Sequence, residues 1–375
     1  MKYLLAGNGI NIQFSPNDYT VQQIVLRVLK NCDREDFPSH IIINPPYLLK
    51  NYLGQLFLEA RDVVAGKYNQ YTNCSAEKDA LVAFCEQYAS QIRTLRMTDI
   101  GFEDYYLLHD LCCHKTQTEN PDQFYVREAM RVAYLFAIYN DGKLDKLYKL
   151  FPETFVRYLN EFDAIFTTNY DSNIDSVIEN SAYHIHGQFD KLAAVYDATS
   201  FRNQLPDAPI KEYEIDPEYF YLYSNALSTH CGEYKKFQLK QYSLANVTIE
   251  KLAEAYLKNQ RIRNDVNGWT REKNTITANM GYAIQMKVQN PELTFTDNYH
   301  FEKLSQITGE LEILGLSPWN DFHIFETVDK SHIDYCTFYY FSKEQCHKVA
   351  SLLPTINRKG ILHFSSVQEF WRRIL

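Results

Sequence analysis

Short apolar runs that stop at glycine or at clustered polar residues alternate, along this chain, with long stretches of helical periodicity. Tyr3 to Ala6 has the pattern of a buried strand and runs into Gly7-Asn8-Gly9-Ile10-Asn11. Thr20 and Gln23 form a capping box, and Val21, Ile24, Val25, Val28 and Leu29 give the amphipathic helix that follows. His40 to Asn44 reads as a second strand, ended by Pro45-Pro46. From Tyr47 to about Phe162 the patterns are all helical. Leu49, Leu53, Leu56 and Ala60 make one stripe; Leu81, Phe84, Cys85, Tyr88 and Ile92 make another; Asn120-Pro121 opens a third helix carrying Val126, Ala129, Ala133 and Phe136. Such stripes face a core.

The strand pattern returns at Ala164-Ile165-Phe166, which stops at Thr167-Thr168-Asn169. Asp171 to Asn180 reads as a short helix with Ile174, Val177 and Ile178 on its buried side. Tyr183 to Gly187 is the next strand, with His184 and His186 on one face and Ile185 on the other. Phe189 to Tyr242 is aromatic and loop-rich, broken by Pro206, Pro209 and Pro217, and Thr248 then caps a helix bearing Ile249, Leu252, Ala253 and Tyr256. The locally basic stretch from Lys258 to Lys273 reads as a solvated face. Leu311 to Leu314 is apolar, Gly315-Leu316-Ser317 turns, and Ser317-Pro318 looks like a cap followed by proline at the first helical position, with Asp321 in the first turn. Tyr335 to Phe341 and Ile361 to Phe364 are further strands, each followed by a helix, over Lys343 to Leu352 and Ser366 to Leu375.

This rhythm predicts an α/β protein, a Rossmann-like parallel sheet interrupted by large helical insertions. Residues 1–46 supply the first part of the sheet, 47–162 a helical insertion, 163–200 the central strands, 201–309 a loop-rich and helical insertion, and 310–375 the last part of the sheet.

Composition narrows this. A chain of 375 residues, 45% apolar and 15% aromatic, is globular, and its net charge of -9 argues against a general nucleic-acid-binding surface. The eight cysteines include no C-x-x-C pair, which fits reduced thiols and the cytoplasm. The amino terminus lacks a signal-peptide core, and no run approaches a membrane span.

In open parallel sheets, polar residues just past the carboxyl ends of strands line the ligand crevice, and Asn169, Asp171 and His186 fit that position. The start of a helix at Ser317 is a usable anion site, and the turn at Gly7 is where such a sheet puts its phosphate loop. His109-Asp110-Leu111-Cys112-Cys113-His114 gathers metal-ligand types, but adjacent cysteines diverge on either a helix or a strand and no distant pair completes a set, so no metal site is assigned.

Read in order, Gly7-Asn8-Gly9-Ile10-Asn11, Thr167-Thr168-Asn169-Tyr170-Asp171, His184-Ile185-His186-Gly187 and Gly315-Leu316-Ser317 with Asp321 resemble the motifs of the sirtuin-like family. The likeness is to its divergent branch in bacterial anti-phage systems, including AbiH-type abortive-infection proteins. It covers the sheet and leaves both helical stretches unmatched. The resemblance implies cleavage of NAD as a substrate, with His186 as base, Asn169 holding ribose or the attacking water, and Asp171 orienting the loop or binding ribose. It also implies that Gly7, Asn8, Gly9, Asn11, Thr168, Gly315, Ser317 and Asp321 hold the dinucleotide. The chain lacks the paired C-x-x-C motifs of sirtuin deacylases, so the likeness stops short of a zinc module and of lysine deacylation. A toxic NAD hydrolase needs restraint, which implies a homo-oligomer or a second protein of the same defence system as its gate. The alternative is a non-hydrolytic NAD or ADP-ribose sensor or scaffold. His184 shares a face with His186, and Gly187 favours His186. Structural roles stay open to all three residues: a helix cap for Asn169, a helix-end charge for Asp171, a hydrogen-bonded core histidine for His186.

Overall fold

The computed structural model describes residues 1–41, 47–119, 122–193, 215–226, 230, 232–273, 275–295, 297 and 299–375. Strand β1 (Lys2–Ala6) leads into helices α1 (Gly9–Phe14) and α2 (Val21–Asn31), the latter capped by Thr20, whose hydroxyl accepts from the Gln23 amide. A helical layer follows: α3 (Tyr47–Val64), α4 (Ser75–Tyr88), α5 (Asp104–Thr116) and α6 (Asp122–Tyr139). Then come α7 (Glu153–Leu159), β2 (Ala164–Thr167) and β3 (Ser181–His184). A second helical group, α8 (Gly232–Lys258), α9 (Gln260–Trp269) and α10 (Thr275–Gln289), precedes α11 (Phe301–Ser305), β4 (Thr308–Leu314) and α12 (Phe322–Asp329). The chain ends with β5 (His332–Tyr340), α13 (Lys343–Leu352), α14 (Pro354–Arg358), β6 (Leu362–Ser366) and α15 (Val367–Ile374).

All six strands are parallel, in the order β3-β2-β1-β4-β5-β6. This is the doubly wound Rossmann order, in which the strand sequence reverses between β1 and β4 and opens a crevice at their carboxyl ends. Central strands must be apolar on both faces, because helices cover both. Leu4, Leu5, Ile165 and Phe166 are accordingly inaccessible. On one face Leu5, Phe166, Leu311 and Ile313 pack with Ile324, Phe325 and Val328 of α12, and on the other Leu4 and Ile165 pack with Phe155 of α7 and Phe370 and Trp371 of α15. The edge strand β6 is more open, with His363 and Phe364 exposed.

The helical layer has its own core, built from stripes of α2 to α6 that include Leu49, Leu53, Leu56, Leu81, Phe84, Ala129, Ala133 and Phe136. A smaller core unites Ile249, Ala253, Val266 and Ile284 of α8 to α10. Gly54 sits inside α3 with no neighbour within 4 Å of an added methyl group. Gly54→Ala is therefore expected to raise stability by about 0.4–1 kcal/mol through a less disordered unfolded chain, readable as a higher denaturation midpoint with unchanged slope.

Several boundaries differ from the sequence reading. Residues 171–180 form irregular turns and no helix, because the Asp171 carboxylate accepts from the Asn173 amide and side chain, while the Asn173 side chain also reaches the Leu144 carbonyl; local bonds of this kind compete with a helix. Strand β3 stops at His184, so His186 lies in the turn beyond the strand. Helix α8 runs uninterrupted from Gly232 through Thr248, which caps nothing, and replaces the loop expected up to Tyr242. Ser317 does not begin a helix: its carbonyl accepts from the Asp321 amide and α12 starts at Phe322. His40 and Ile41 lie in a turn; the rest of the second strand expected there, and Asn120-Pro121, lie outside the described residues. Among the described residues no helix is long and apolar enough to cross a membrane.

Candidate functional site

The carboxyl ends of β1 and β4 meet backbone to backbone. The Gly7 amide donates to the Leu314 carbonyl and the Gly9 amide to the Gly315 carbonyl, both at 2.9 Å. A methyl group on Gly7 would lie 2.5 Å from the Gly315 oxygen, and one on Gly9 2.5 Å from the Gly315 Cα. These glycines are required by close approach. Their amides are engaged inside the chain and are not free to hold the phosphate expected of Gly7 and Gly9. Asn8 and Asn11 are likewise committed: the Asn8 side chain donates to the Tyr19 carbonyl, and that of Asn11 donates to Asp171 at 2.8 Å. Asp171 is buried and held by Asn11 and Asn173, which makes it a brace between the first loop and the second. Burial raises its pKa, against the hydrogen bonds of Asn11 and Asn173.

Beyond β2, the Thr168 amide donates to the Ala6 carbonyl and the Asn169 amide to the Thr167 hydroxyl, so the loop leaves the sheet under tight control. The Asn169 side chain is buried, and among the described residues neither its oxygen nor its nitrogen has a hydrogen-bond partner. A buried carboxamide left unpaired costs about 1–3 kcal/mol per group, and native proteins keep few of them.

His184 and His186, adjacent in pattern, have opposite surroundings. His184 donates from Nδ1 to the Asn169 carbonyl at 2.8 Å and from Nε2 to Asp175 at 3.0 Å. Both partners are acceptors, so both ring nitrogens carry protons and His184 has no lone pair to offer. Burial works against its charge, yet the Asp175 hydrogen bond and charge, with the Asn169 carbonyl, raise its pKa above the usual value. Burial also opposes the charge of Asp175, whose pKa is nonetheless depressed by His184. The linkage has a definite sign. A raised histidine pKa gives stability that is complete below the unfolded value of about 6.5 and is lost as pH rises through the folded pKa; the depressed Asp175 pKa gives stability lost in acid. Stability measured by denaturant titration is expected to decline above neutrality, and Asp175→Asn is expected to flatten that decline.

His186 is the contrasting case. It is buried, its ring stacks on that of His323 at 5.3 Å and 12°, and the two Nε2 atoms are 3.0 Å apart. Burial, then the positive charge of Lys235 and the neighbouring His323, holds its pKa well below the usual value, so the ring is neutral. Gly187 follows in the left-handed region, φ +81°, and a methyl group there would lie 2.2 Å from the Asn225 carbonyl oxygen. Asn225 in turn accepts from the Gln188 amide and, by its carbonyl, from the Tyr299 hydroxyl. Segments on either side of the second helical group therefore hold the His186 turn in place.

Asp321, assigned from sequence to the start of a helix, instead turns into the same interior. Burial pushes its carboxyl up to about 7, opposed by Lys235 and reinforced by Glu103. Lys235, on α8, is buried and ion-paired with Glu103. Gly315, φ +76°, and Ser317 line the neighbouring loop. The strand ends thus bring Asn169, His186 and Asp321 to one edge of the sheet, with His323, Lys235 and Glu103 added from α12, α8 and the helical layer. The last three carry no motif; their partners are far away in sequence. Asn169, His186, His323 and Lys235 are buried there, while Thr168, Ser317 and Asp321 at the same strand ends are partly exposed. A cavity of about 320 Å³ lies at the opposite, amino-terminal ends of the strands, lined by Tyr3, Phe166, Tyr183 and Lys303 among others.

The stretch from His109 to His114 is structural. His109 contacts the Tyr52 hydroxyl and the Gln123 carbonyl, Asp110 pairs with Arg127, and His114 contacts Asn73 and the Tyr71 carbonyl. Among the described residues no group of three or more histidine, cysteine, aspartate or glutamate side chains is placed to hold a metal ion. Comparison with protein-family models, with curated proteins and with solved structures gives no match.

Proposed function

We propose that the chain is a sirtuin-like NAD glycohydrolase, an effector of anti-phage abortive-infection defence, with its site at the carboxyl ends of β1 to β4. One observation carries this reading. The Asn169 carboxamide is buried at a strand end with donor and acceptor both unmatched, beside the strand end that leads to a neutral histidine, His186. A ribose hydroxyl or a water, which both donates and accepts, is the complement such an amide lacks.

The residues divide the work as follows. Asn169 holds a ribose hydroxyl or the attacking water, and His186 accepts the proton the water loses as its oxygen bonds to the ribose carbon. Nicotinamide leaves with the electron pair of the broken bond, so it needs no proton from the protein. The products are ADP-ribose, nicotinamide and one proton. Asp171 positions the loop through Asn11 and does not touch substrate. Under this reading Ser317 and Asp321, with Lys235 of α8 beside Asp321, meet the polar parts of the dinucleotide, and Thr168 shapes the loop.

The buried Asn169 and His186 side chains must be uncovered before a dinucleotide reaches them, which suits an effector held silent until a partner or an assembly releases it. The second reading is a sensor or scaffold that binds NAD or ADP-ribose at the same strand ends without breaking it. Nicotinamide release distinguishes the two. Purified protein, and extracts of infected cells expressing it, are expected to release nicotinamide from NAD. A rise in melting temperature with NAD, and no release under either condition, would establish the sensor instead.

A further inference from the structure

The His186–His323 contact has a consequence for proton transfer. Two nitrogens facing each other at 3.0 Å require one proton between them, since two lone pairs repel and two N–H groups clash. Burial and the charges of Lys235 and Lys236 keep His323 neutral, as burial and Lys235 keep His186 neutral. Two neutral imidazoles hold two ring protons. One lies between the Nε2 atoms, and the other sits on Nδ1 of whichever ring accepts. The donating ring therefore keeps a bare Nδ1. His323 Nδ1 is buried without a hydrogen-bond partner, and the His323 ring is fixed by Phe301 and Phe322. That ring is held in register with His186 from a different element, α12, across 137 residues of sequence.

We infer that His323 is a positioning residue for His186: through the Nε2 contact it sets which His186 nitrogen carries the lone pair, and it receives the proton that His186 gains. The chemistry rests on the NAD cleavage proposed above. When water attacks, its O–H bond breaks and the proton goes to His186 Nδ1. The proton already on His186 Nε2 passes to His323 Nε2, leaving His186 neutral and His323 a transient imidazolium. The shared proton then passes back to His186 Nε2 as the Nδ1 proton is released to solvent with the products, so the pair ends as it began. Neither ring alone has this capacity. A lone buried His186 would keep the added proton itself, with no second ring nitrogen to share it.

The test uses full-length protein with ¹⁵N-labelled histidine, the ring signals being assigned with His186→Gln and His323→Gln. The expected spectrum near pH 7 shows His186 and His323 as two neutral, opposite tautomers sharing one proton, and His323→Leu abolishes the shared-proton signal and shifts the His186 nitrogens. In the same variant kcat for NAD is expected to fall on the order of 10²-fold with KM little changed, and the pH profile to move, whereas His323→Gln, which keeps a hydrogen-bonding atom, is expected to retain more activity. Unchanged His186 nitrogen signals and unchanged kcat in His323→Leu would overturn the inference. If that variant does not fold, the nitrogen signals of His323→Gln decide in its place. Wild-type protein that shows the shared proton but releases no nicotinamide would refute the hydrolase reading and the relay, while leaving the positioning contact in place.

Discussion

Asn169→Ala and His186→Ala are each expected to lower NAD cleavage by roughly 10²–10⁴-fold while leaving the protein folded. The two losses have different origins. Removing His186 removes the proposed base and would leave the water with no proton acceptor of suitable pKa, so kcat is expected to carry the loss. Removing Asn169 removes the one buried carboxamide among the described residues whose donor and acceptor are both unmatched. Its variant loses orientation in the transition state, again mostly in kcat. Stability should move the other way for Asn169. An unpaired buried amide is a cost, so Asn169→Ala is expected to leave the melting temperature unchanged or higher, a stability gain traded against function of the kind seen at active sites. A variant that lost activity because it unfolded would show the opposite. His184→Ala breaks an ion pair with Asp175 and is expected to cost stability, which separates the two histidines experimentally.

Gly187→Ala is expected to be among the most damaging single methyl groups in the chain, costing about 3 kcal/mol or more. Two effects combine. The residue has φ +81°, where an alanine is strained, and the added carbon would meet the Asn225 carbonyl oxygen at 2.2 Å and its carbon at 2.6 Å. Those are backbone atoms, fixed by the Tyr299 hydroxyl and by the Asn225 amide bond to the Lys191 carbonyl, so they cannot swing aside as a side-chain tip would. Because Gly187 directly follows His186, any relaxation displaces the base. A chemical-denaturation midpoint and the rate of NAD cleavage should fall together in this variant. Gly54→Ala, with open space around it, provides the control for the bare effect of adding a methyl group.

The central strands were legible because burial on both faces forces continuous apolar runs. Tyr3 to Ala6, Ala164 to Phe166 and Leu311 to Leu314 have that character, and each sits in β1, β2 or β4. The amphipathic stripes of the first insertion were legible for the same reason at helical spacing. Other features depended on contacts that no local pattern encodes. The turn over residues 171–180 has helical spacing of its apolar residues, but Asp171 and Asn173 bind nearby backbone and the Asn11 side chain first. Helix α8 runs through the aromatic stretch that had read as loop up to Tyr242. At the candidate site, Asn169 and His186 could be found because strand ends are read from apolar runs. His323 could not: its only distinguishing feature is the Nε2 of a histidine 137 residues away. Lys235 and Glu103 come from separate insertions, and their pairing in the interior is a product of the packing of α8 against the helical layer. The glycines at 7, 9 and 315 were legible as turns at strand ends, whereas their engagement with one another depends on the β1–β4 pairing.

The central claim is that the Asn169 amide and the His186 imidazole act on one substrate. A double-mutant cycle on kcat/KM for nicotinamide release, using Asn169→Ala, His186→Ala and the pair of changes together, tests it most directly. The account predicts that the doubly changed protein is little worse than the poorer single variant, because groups serving the same transition state fail together. Losses that multiply in full, or a wild-type rate that neither change lowers, would contradict it.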